Sequence, residues 1–211
     1  MPTMNLKGNI KLIDSNSKIS SNMLKALTDE LKTIISKKKP RIESEIKSVI
    51  RTALMKSPEI ESLVSGKLKL DFGLDFNPSN ELVDAIIGAT YVYFRSFKLT
   101  LNGASNALSI YIQPSDFANL LNQQFGQVIT EKGVSLPWLS WLLTEGDAII
   151  ITQYGVEYGP SSTSRSGGAI MKPGGVFKVD SAFSGTTDDN FITRALEGYE
   201  DKIKEIIRKN I

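Results

Sequence analysis

The chain has 211 residues, 41% hydrophobic and 23% charged, with a formal net charge of +2, the balance of an ordinary globular chain with one core, and no apolar run approaches the roughly 20 residues that a membrane-spanning helix needs. It contains neither cysteine nor histidine, which removes disulfides, thiolate metal sites, cysteine nucleophiles, the commonest general base and the commonest zinc ligand. The charge is uneven, with 14 Lys/Arg against 7 Asp/Glu in residues 1–70 and 11 against 16 in residues 71–211, so a basic arm on a mildly acidic body is expected.

Residues 1–18 are polar, broken by short apolar pairs such as Leu12 and Ile13, and read as an extended N-terminal segment. They lack the charged start and apolar core of a secretory signal, which leaves cytoplasm as the default expectation. A helix is predicted from Ser20 or Ser21, either of which can cap it, with Ile19, Met23, Leu27, Leu31 and Ile34 as its apolar face and Leu24 and Ile35 widening the stripe. Lys37, Lys38, Lys39 and Pro40 are expected to break it, because an interior proline loses a hydrogen bond and clashes with the preceding turn. A second helix then starts at Pro40, apolar along Ile42, Ile46, Val49, Ile50, Ala53 and Leu54.

The segment SPEIESLVSG predicts a short helix, capped by Ser57, opened by Pro58 and stopped by Gly66. Leu68, Leu70 and Phe72 alternate with Lys67, Lys69 and Asp71, the pattern of a strand. A further helix follows with Asn77 as cap and Leu82, Val83, Ile86 and Ile87 inward. Tyr91 to Leu101 and Leu108 to Ile112 flank Asn102-Gly103 and predict a β-hairpin. A helix from about Asp116, capped by Ser115, is predicted to bury Phe117, Leu120, Leu121, Phe125 and Val128.

From Ser135 to Leu196 runs the stretch on which a functional reading depends most. Pro137 opens a short helix in which Trp138 and Trp141 share a face, with Leu139, Leu142 and Leu143 covering much of the rest. Ala148 to Thr152 predicts a strand, with a tight turn near Gly155 and a returning strand; a second strand pair is expected to turn at Pro173, Gly174 and Gly175. Between them Ser161 to Gly168 is a polar, flexible loop. One final helix is predicted to carry Ile192, Ala195, Leu196, Tyr199, Ile203, Ile206 and Ile207, its start favoured by Asp188 and Asp189 and its end by Lys204, Arg208 and Lys209.

Chemistry is sparse in this stretch. Neither Ser166-Gly167-Gly168 nor Ser65-Gly66-Lys67-Leu68 satisfies a phosphate loop, which needs Gly-Lys-Ser/Thr opening a helix after a strand. A serine nucleophile at Ser166 would have only a lysine as base, and no enzyme activity is expected. Asp188 and Asp189 with Glu145 or Asp147 have the oxygen ligands of a hard-metal site, but the helix start accounts for them, so neither metal nor cofactor is expected. Lys37, Lys38, Lys39, Arg41, Lys47, Arg51 and Lys56 could follow phosphates in a salt-sensitive, sequence-independent way, or form a solvated face. The tryptophans suit a core, a subunit interface or, least often, a ligand box.

Five features together resemble virion structural proteins of tailed bacteriophages, in particular tail-completion or neck proteins of the head-to-tail junction. They are the N-terminal helical arm, Ser65-Gly66-Lys67-Leu68 leading into a first strand, the Glu145-Gly146 step after an aromatic-rich helix, the long loop, and Asn190-Phe191-Ile192-Thr193-Arg194-Ala195-Leu196 opening the last helix. The resemblance covers about residues 57–211; the hairpin Tyr91 to Ile112 and the following helix are additions to a minimal member, so neck ring, tail terminator and other tail subunit all stay open. It implies an α+β fold, a small antiparallel sheet packed with a long C-terminal helix, in a 57–211 body preceded by a basic helical arm over 1–56. It also implies a homo-oligomeric ring, hexameric or dodecameric, in the virion, assembled in the host bacterial cytoplasm beside other neck or tail proteins, with no membrane partner. The expected interface residues are Trp138, Trp141, Ser161, Ser162, Arg165, Ser166, Gly167 and Phe191, and the expected docking arm, also able to meet DNA in the lumen, is Lys37, Lys38, Lys39, Arg41, Lys47 and Arg51. The alternative from another class is a nucleic-acid-binding protein that uses this basic arm.

Overall fold

The computed structural model describes residues 14–93, 98–100, 102–105, 109–112, 119–130 and 133–210. It is an α+β fold in which helices carry the core and, among the described residues, the strands form four two-stranded antiparallel ladders.

Helix α1 (Asn16–Met55) is one continuous helix of 40 residues, about 60 Å long at 1.5 Å per residue. It starts earlier than Ser20, at a cap where Ser15 accepts from Lys18 N at 3.3 Å. The break expected at Pro40 does not occur, and Pro40 lies inside the helix. The physical reason is local: the proline leaves the Ser36 carbonyl without its helical donor, but Ser36 to Pro40 are all exposed, so water satisfies it. On either side Ile35, Ile42, Ile46, Val49, Ile50, Ala53 and Leu54 keep one buried stripe, which a break would turn away from the core. Within 16–34 only Thr28 is buried, while Ile42, Ile46, Ile50 and Leu54 belong to the central cluster.

Helix α2 (Pro58–Ser65) forms as its sequence dictates, with Ser57 accepting from Ile60 N at 3.3 Å and Pro58 in its first turn. Gly66 stops it where a Cβ would come within 2.7 Å of Ser62 Cα. The next segment is helix α3 (Lys67–Asp71), not a strand. Ser62 Oγ accepts from Leu68 N at 3.0 Å and starts a turn in which Leu68 and Phe72, four apart, both face inward. The strand feature of the phage resemblance is thus not reproduced at Ser65 to Leu68. Helix α4 (Ser79–Gly88) buries Leu82, Val83 and Ile86 as expected, and Asn77 Oδ1 accepts from Ser79 N at 3.0 Å.

The expected hairpin is present as β1 (Thr90–Tyr93) pairing β4 (Ser109–Ile112) and β2 (Lys98–Thr100) pairing β3 (Gly103–Ser105). Gly103 is already paired with Thr100, so the reversal lies one position before Asn102-Gly103. Of the helix expected from Asp116, the start at Ser115 and Phe117 lies outside the described residues. Residues 119–121 are helical, but Val128 is in β5 (Val128–Ile129), paired with β6 (Ser135–Leu136), after a tight turn at 124–126.

Helix α5 (Trp138–Thr144) holds Trp138, Leu139, Leu142 and Leu143 in the core. The two strand pairs expected downstream are one long hairpin, β7 (Ile151–Tyr158) against β8 (Ala169–Phe177). Gly155 is no turn; it lies in mid-strand, where a Cβ would come within 3.1 Å of Gly174 O. Pro173-Gly174-Gly175 is likewise no turn: the register shift between Thr152 and Tyr154 sets Gly174 and Gly175 opposite the single Gln153, with positive φ of 101° and 83° at the two glycines, a β-bulge.

The final helix is also divided. Helix α6 (Phe191–Leu196) ends at Glu197, Gly198 takes φ 83°, and α7 (Glu200–Asn210) starts anew. The α6 cap is Asn190 rather than the aspartates, with Thr193 completing a capping box: Asn190 Oδ1 accepts from Ile192 N and Thr193 Oγ1 accepts from Asn190 N, both at 3.0 Å. At the centre of the core Phe72 lies 5.7 Å from Trp138, 6.4 Å from Trp141 and 6.5 Å from Phe177 between ring centroids.

Candidate functional site

Three places gather the polar and uncovered groups of the fold. The first is where the α3 end of the body meets the far end of the β7–β8 hairpin. Asp71, 7% exposed, accepts from the Tyr158 hydroxyl, and Lys67 Nζ lies 3.5 Å from Asp71 and 2.8 Å from Asp180, over the Tyr158 ring. Burial pushes the Asp71 carboxyl up, against the opposing pull of the Tyr158 hydroxyl and Lys67. Burial also draws Lys67 down, but its bond to Asp180 and the charge of Asp71 outweigh this and leave it raised. Asp180 is held below the ordinary carboxyl value by Lys67 and by the amide of Ala182. Tyr158 is pushed up to about 12 by burial and by the hydrogen bond and charge of Asp71.

A raised tyrosine stabilises the fold fully below its unfolded value near 10, and that contribution is lost as pH climbs toward the folded value of about 12. Tyr158→Phe is therefore expected to flatten the fall in urea midpoint above about pH 10. In a spectrophotometric titration the same variant is expected to lack one tyrosinate that forms near pH 12. An unchanged alkaline slope would contradict the Asp71–Tyr158 contact.

The loop 159–168 closes this end of the hairpin, and it is tied down rather than free. Ser164 Oγ accepts from Ala169 N at 3.2 Å and donates to Ala169 O at 2.6 Å, and Gly159 N donates to Gly168 O at 2.9 Å. Arg165 reaches across to donate to Ile129 O at 3.1 Å, and its guanidinium covers Gly73, where a Cβ would meet Nη2 at 3.1 Å. Ser161 bonds Thr163, while Ser162 and Gly167 are exposed. Ser166 Oγ meets only Ser164 Oγ, at 3.4 Å, among the described residues. A nucleophile needs a base in that position, and none stands beside Ser166 among the described residues.

The second place is Arg194, which joins the two ends of the body. Its guanidinium donates to Glu59 at 2.9 Å, Asp189 at 3.2 Å, Phe183 O at 3.1 Å and Ser184 O at 3.3 Å. Asp189 is thus committed to Arg194, and Asp147 to Ser184 at 3.4 Å and Lys178 at 3.9 Å. Among the described residues no group of three or more carboxylates is placed to hold a metal ion.

The third place is the arm. On the N-terminal half of α1, Met23 is 59% and Leu27 52% exposed, with Leu31 and Ile34 half-buried beside them; the apolar face predicted there is real but uncovered. Of the basic residues, Arg41 bonds Glu45 at 2.9 Å, Lys47 meets Glu43 at 3.3 Å and Arg51 pairs with Asp84. Arg41, with Asn210, holds Glu45 below its ordinary value. Lys37, Lys38 and Lys39 are exposed and have no acidic partner among the described residues.

The expected interface set is therefore scattered. Trp138 and Phe191 are fully buried and leave no surface for a second copy; Trp138 Nε1 donates to Phe125 O at 2.9 Å inside the body. Trp141 is half-buried against Phe177, ring centroids 5.8 Å apart, and keeps an outer edge. Arg194, Glu59 and Tyr158 escaped the sequence reading because their partners lie far along the chain, 135 residues for Arg194–Glu59 and 87 for Tyr158–Asp71. The local signals were two carboxylates in the apolar stretches that form α2 and α3, and the spacing of four between Lys67 and Asp71, which pairs them only on the helix that the strand reading replaced. Among the described residues no helix is long and apolar enough to cross a membrane. No family model, curated protein or solved structure matches the chain.

Proposed function

We propose that the chain is a self-assembling structural subunit and, following the resemblance of its sequence, a ring-forming neck protein of a tailed phage particle that surrounds the DNA conduit. The observation that carries this reading is the arm: Met23 and Leu27 lie open on the N-terminal part of α1, where only Thr28 is buried before the stripe that starts at Ile35. An apolar stripe on a continuous helix is stable in water only at a cost that a neighbouring copy relieves by covering it. The arch of the β7–β8 hairpin, exposed at Tyr154, Met171 and Val176, supplies an unlike surface, and unlike surfaces on successive copies close a ring by rotation. The reading requires the chain to be a stoichiometric component of purified virions. Quantitative protein analysis of gradient-purified particles tests this, and its absence from them contradicts the phage assignment.

One observation favours a second role for the arm. Lys37, Lys38 and Lys39 spend no charge within the described chain, unlike Arg41, Lys47 and Arg51, so they are available to phosphates. Changing Lys37, Lys38, Lys39 and Arg41 to Glu is expected to abolish duplex DNA binding that weakens steeply with salt in the parent. Absence of binding by the parent at low salt removes this role.

A further inference from the structure

We infer that the cleft between the start of α4 and β5 is a binding site for a neutral saccharide. The cleft has a volume of about 590 Å³, within the roughly 300–1,000 Å³ of small-molecule sites. None of its residues belongs to α1 or to the strands of the β7–β8 hairpin, so the site stands or falls separately from the ring.

The walls offer hydrogen-bonding groups of both kinds, several of them fixed by bonds made outside the cleft. Three of the chain's five glutamines gather here. Gln123 Nε2 donates to Asn119 O at 3.2 Å, which leaves its oxygen to accept, and Gln127 Oε1 accepts from Ser135 Oγ at 2.6 Å, which leaves its amide nitrogen to donate. Gln124 makes no side-chain hydrogen bond among the described residues and keeps both functions. Asp75 and Glu81 add carboxylate acceptors, both exposed and without a cationic partner among the described residues. Arg165, pinned by its 3.1 Å bond to Ile129 O, brings its remaining donors. Half-buried Phe76 and Phe125 supply the aromatic part of the lining.

This mixture selects the ligand class. Two carboxylates against one guanidinium disfavour a polyanion such as nucleic acid, and among the described residues no third carboxylate joins them to hold a metal ion. An extended peptide would need a free strand edge, but β5 has two residues and its Ile129 carbonyl is already taken by Arg165. A sugar hydroxyl both donates and accepts, so a ring carrying several of them uses fixed donors and acceptors together, and its C–H face packs on aromatic rings. An uncharged saccharide therefore matches both halves of the lining.

The full-length protein, biotinylated at one end and tetramerised on streptavidin, is applied to an array of neutral, sialylated and sulfated oligosaccharides. Tetramerisation supplies the avidity that registers weak sites whether or not the chain itself assembles. Binding to neutral oligosaccharides is expected, and it should persist at high salt because no ion pair forms with the ligand. Asp75→Ala combined with Gln124→Ala removes two exposed groups that bond nothing else among the described residues. The double variant is expected to bind neutral oligosaccharides about tenfold or more weakly, with an unchanged melting temperature. Binding confined to sialylated or sulfated oligosaccharides would make Arg165 the centre of an anion site and overturn the proposal. Absence of binding to any neutral oligosaccharide, or equal binding by the double variant, overturns it as well.

Discussion

Arg194→Ala is expected to lower stability by about 3–5 kcal/mol, toward the lower end of that range, which for a chain of this size corresponds to a fall in melting temperature of roughly 6–20 °C. The reason is the carboxylate left behind. Glu59 is 4% exposed, and Arg194 is its one cationic partner among the described residues; a buried charge stripped of its partner costs far more than the pair contributed. The α2 amino terminus, whose second residue is Glu59, keeps part of the compensation, because free amides favour a negative charge there. Glu59→Gln combined with Arg194→Met is expected to recover most of the loss, since the uncompensated charge is then gone. Urea denaturation of the two single variants and the double variant measures this. A double variant no more stable than Arg194→Ala would show that the loss comes from the Phe183 and Ser184 carbonyl contacts instead.

That ion pair also shows where sequence legibility stops. Capping and burial signals that act within a few residues were readable: Ser57 and Pro58 opened α2, the Leu82–Val83–Ile86 stripe formed α4, and Asn102-Gly103 marked its hairpin to within one residue. Ambiguity began where one pattern serves two structures. Leu68, Leu70 and Phe72 alternate as in a strand, yet Leu68 and Phe72 also stand one helical turn apart, and the Ser62 cap decides for the helix. Turn formers misled when their cost fell on water or on a partner strand. Pro40 is tolerated because Ser36 to Pro40 are solvated, and Gly155, Gly174 and Gly175 serve a close crossing inside one hairpin rather than two reversals. The α+β class was legible; the position of the longest helix at the amino end and the division of the last one at Gly198 were not.

For the candidate site the lesson is similar. Trp138 and Trp141 share Phe72 as neighbour, as their spacing requires, but only the three-dimensional context decides that Trp138 is interior and Trp141 peripheral. The apolar face of the arm was visible in residues 19–35, whereas its exposure is a fact of tertiary structure: the continuous buried stripe of α1 begins at Ile35, and before it only Thr28 is buried.

Replacing Met23 and Leu27 together by Glu is the second variant expected to have a large effect, and it acts on assembly rather than folding. Both side chains are more than half exposed in the single chain, so glutamates there are solvated and the monomer keeps its stability. In a contact between copies, covering the exposed half of the two side chains contributes about 1.5–3 kcal/mol of apolar burial in total, so losing both weakens each contact by about 10–10²-fold. Burying the new charges adds to that loss. Sedimentation of parent and variant at equal concentration is expected to show an oligomer and a monomer respectively, with matching thermal transitions for the isolated subunit. Unchanged sedimentation of the variant oligomer would move the interface off the arm.

The claim that the chain acts by closing on itself is tested most directly by native mass spectrometry of the purified, unmodified protein across a range of concentrations. The account predicts one discrete closed species, six or twelve copies, rather than a ladder of open oligomers. A strict monomer at every concentration would contradict it.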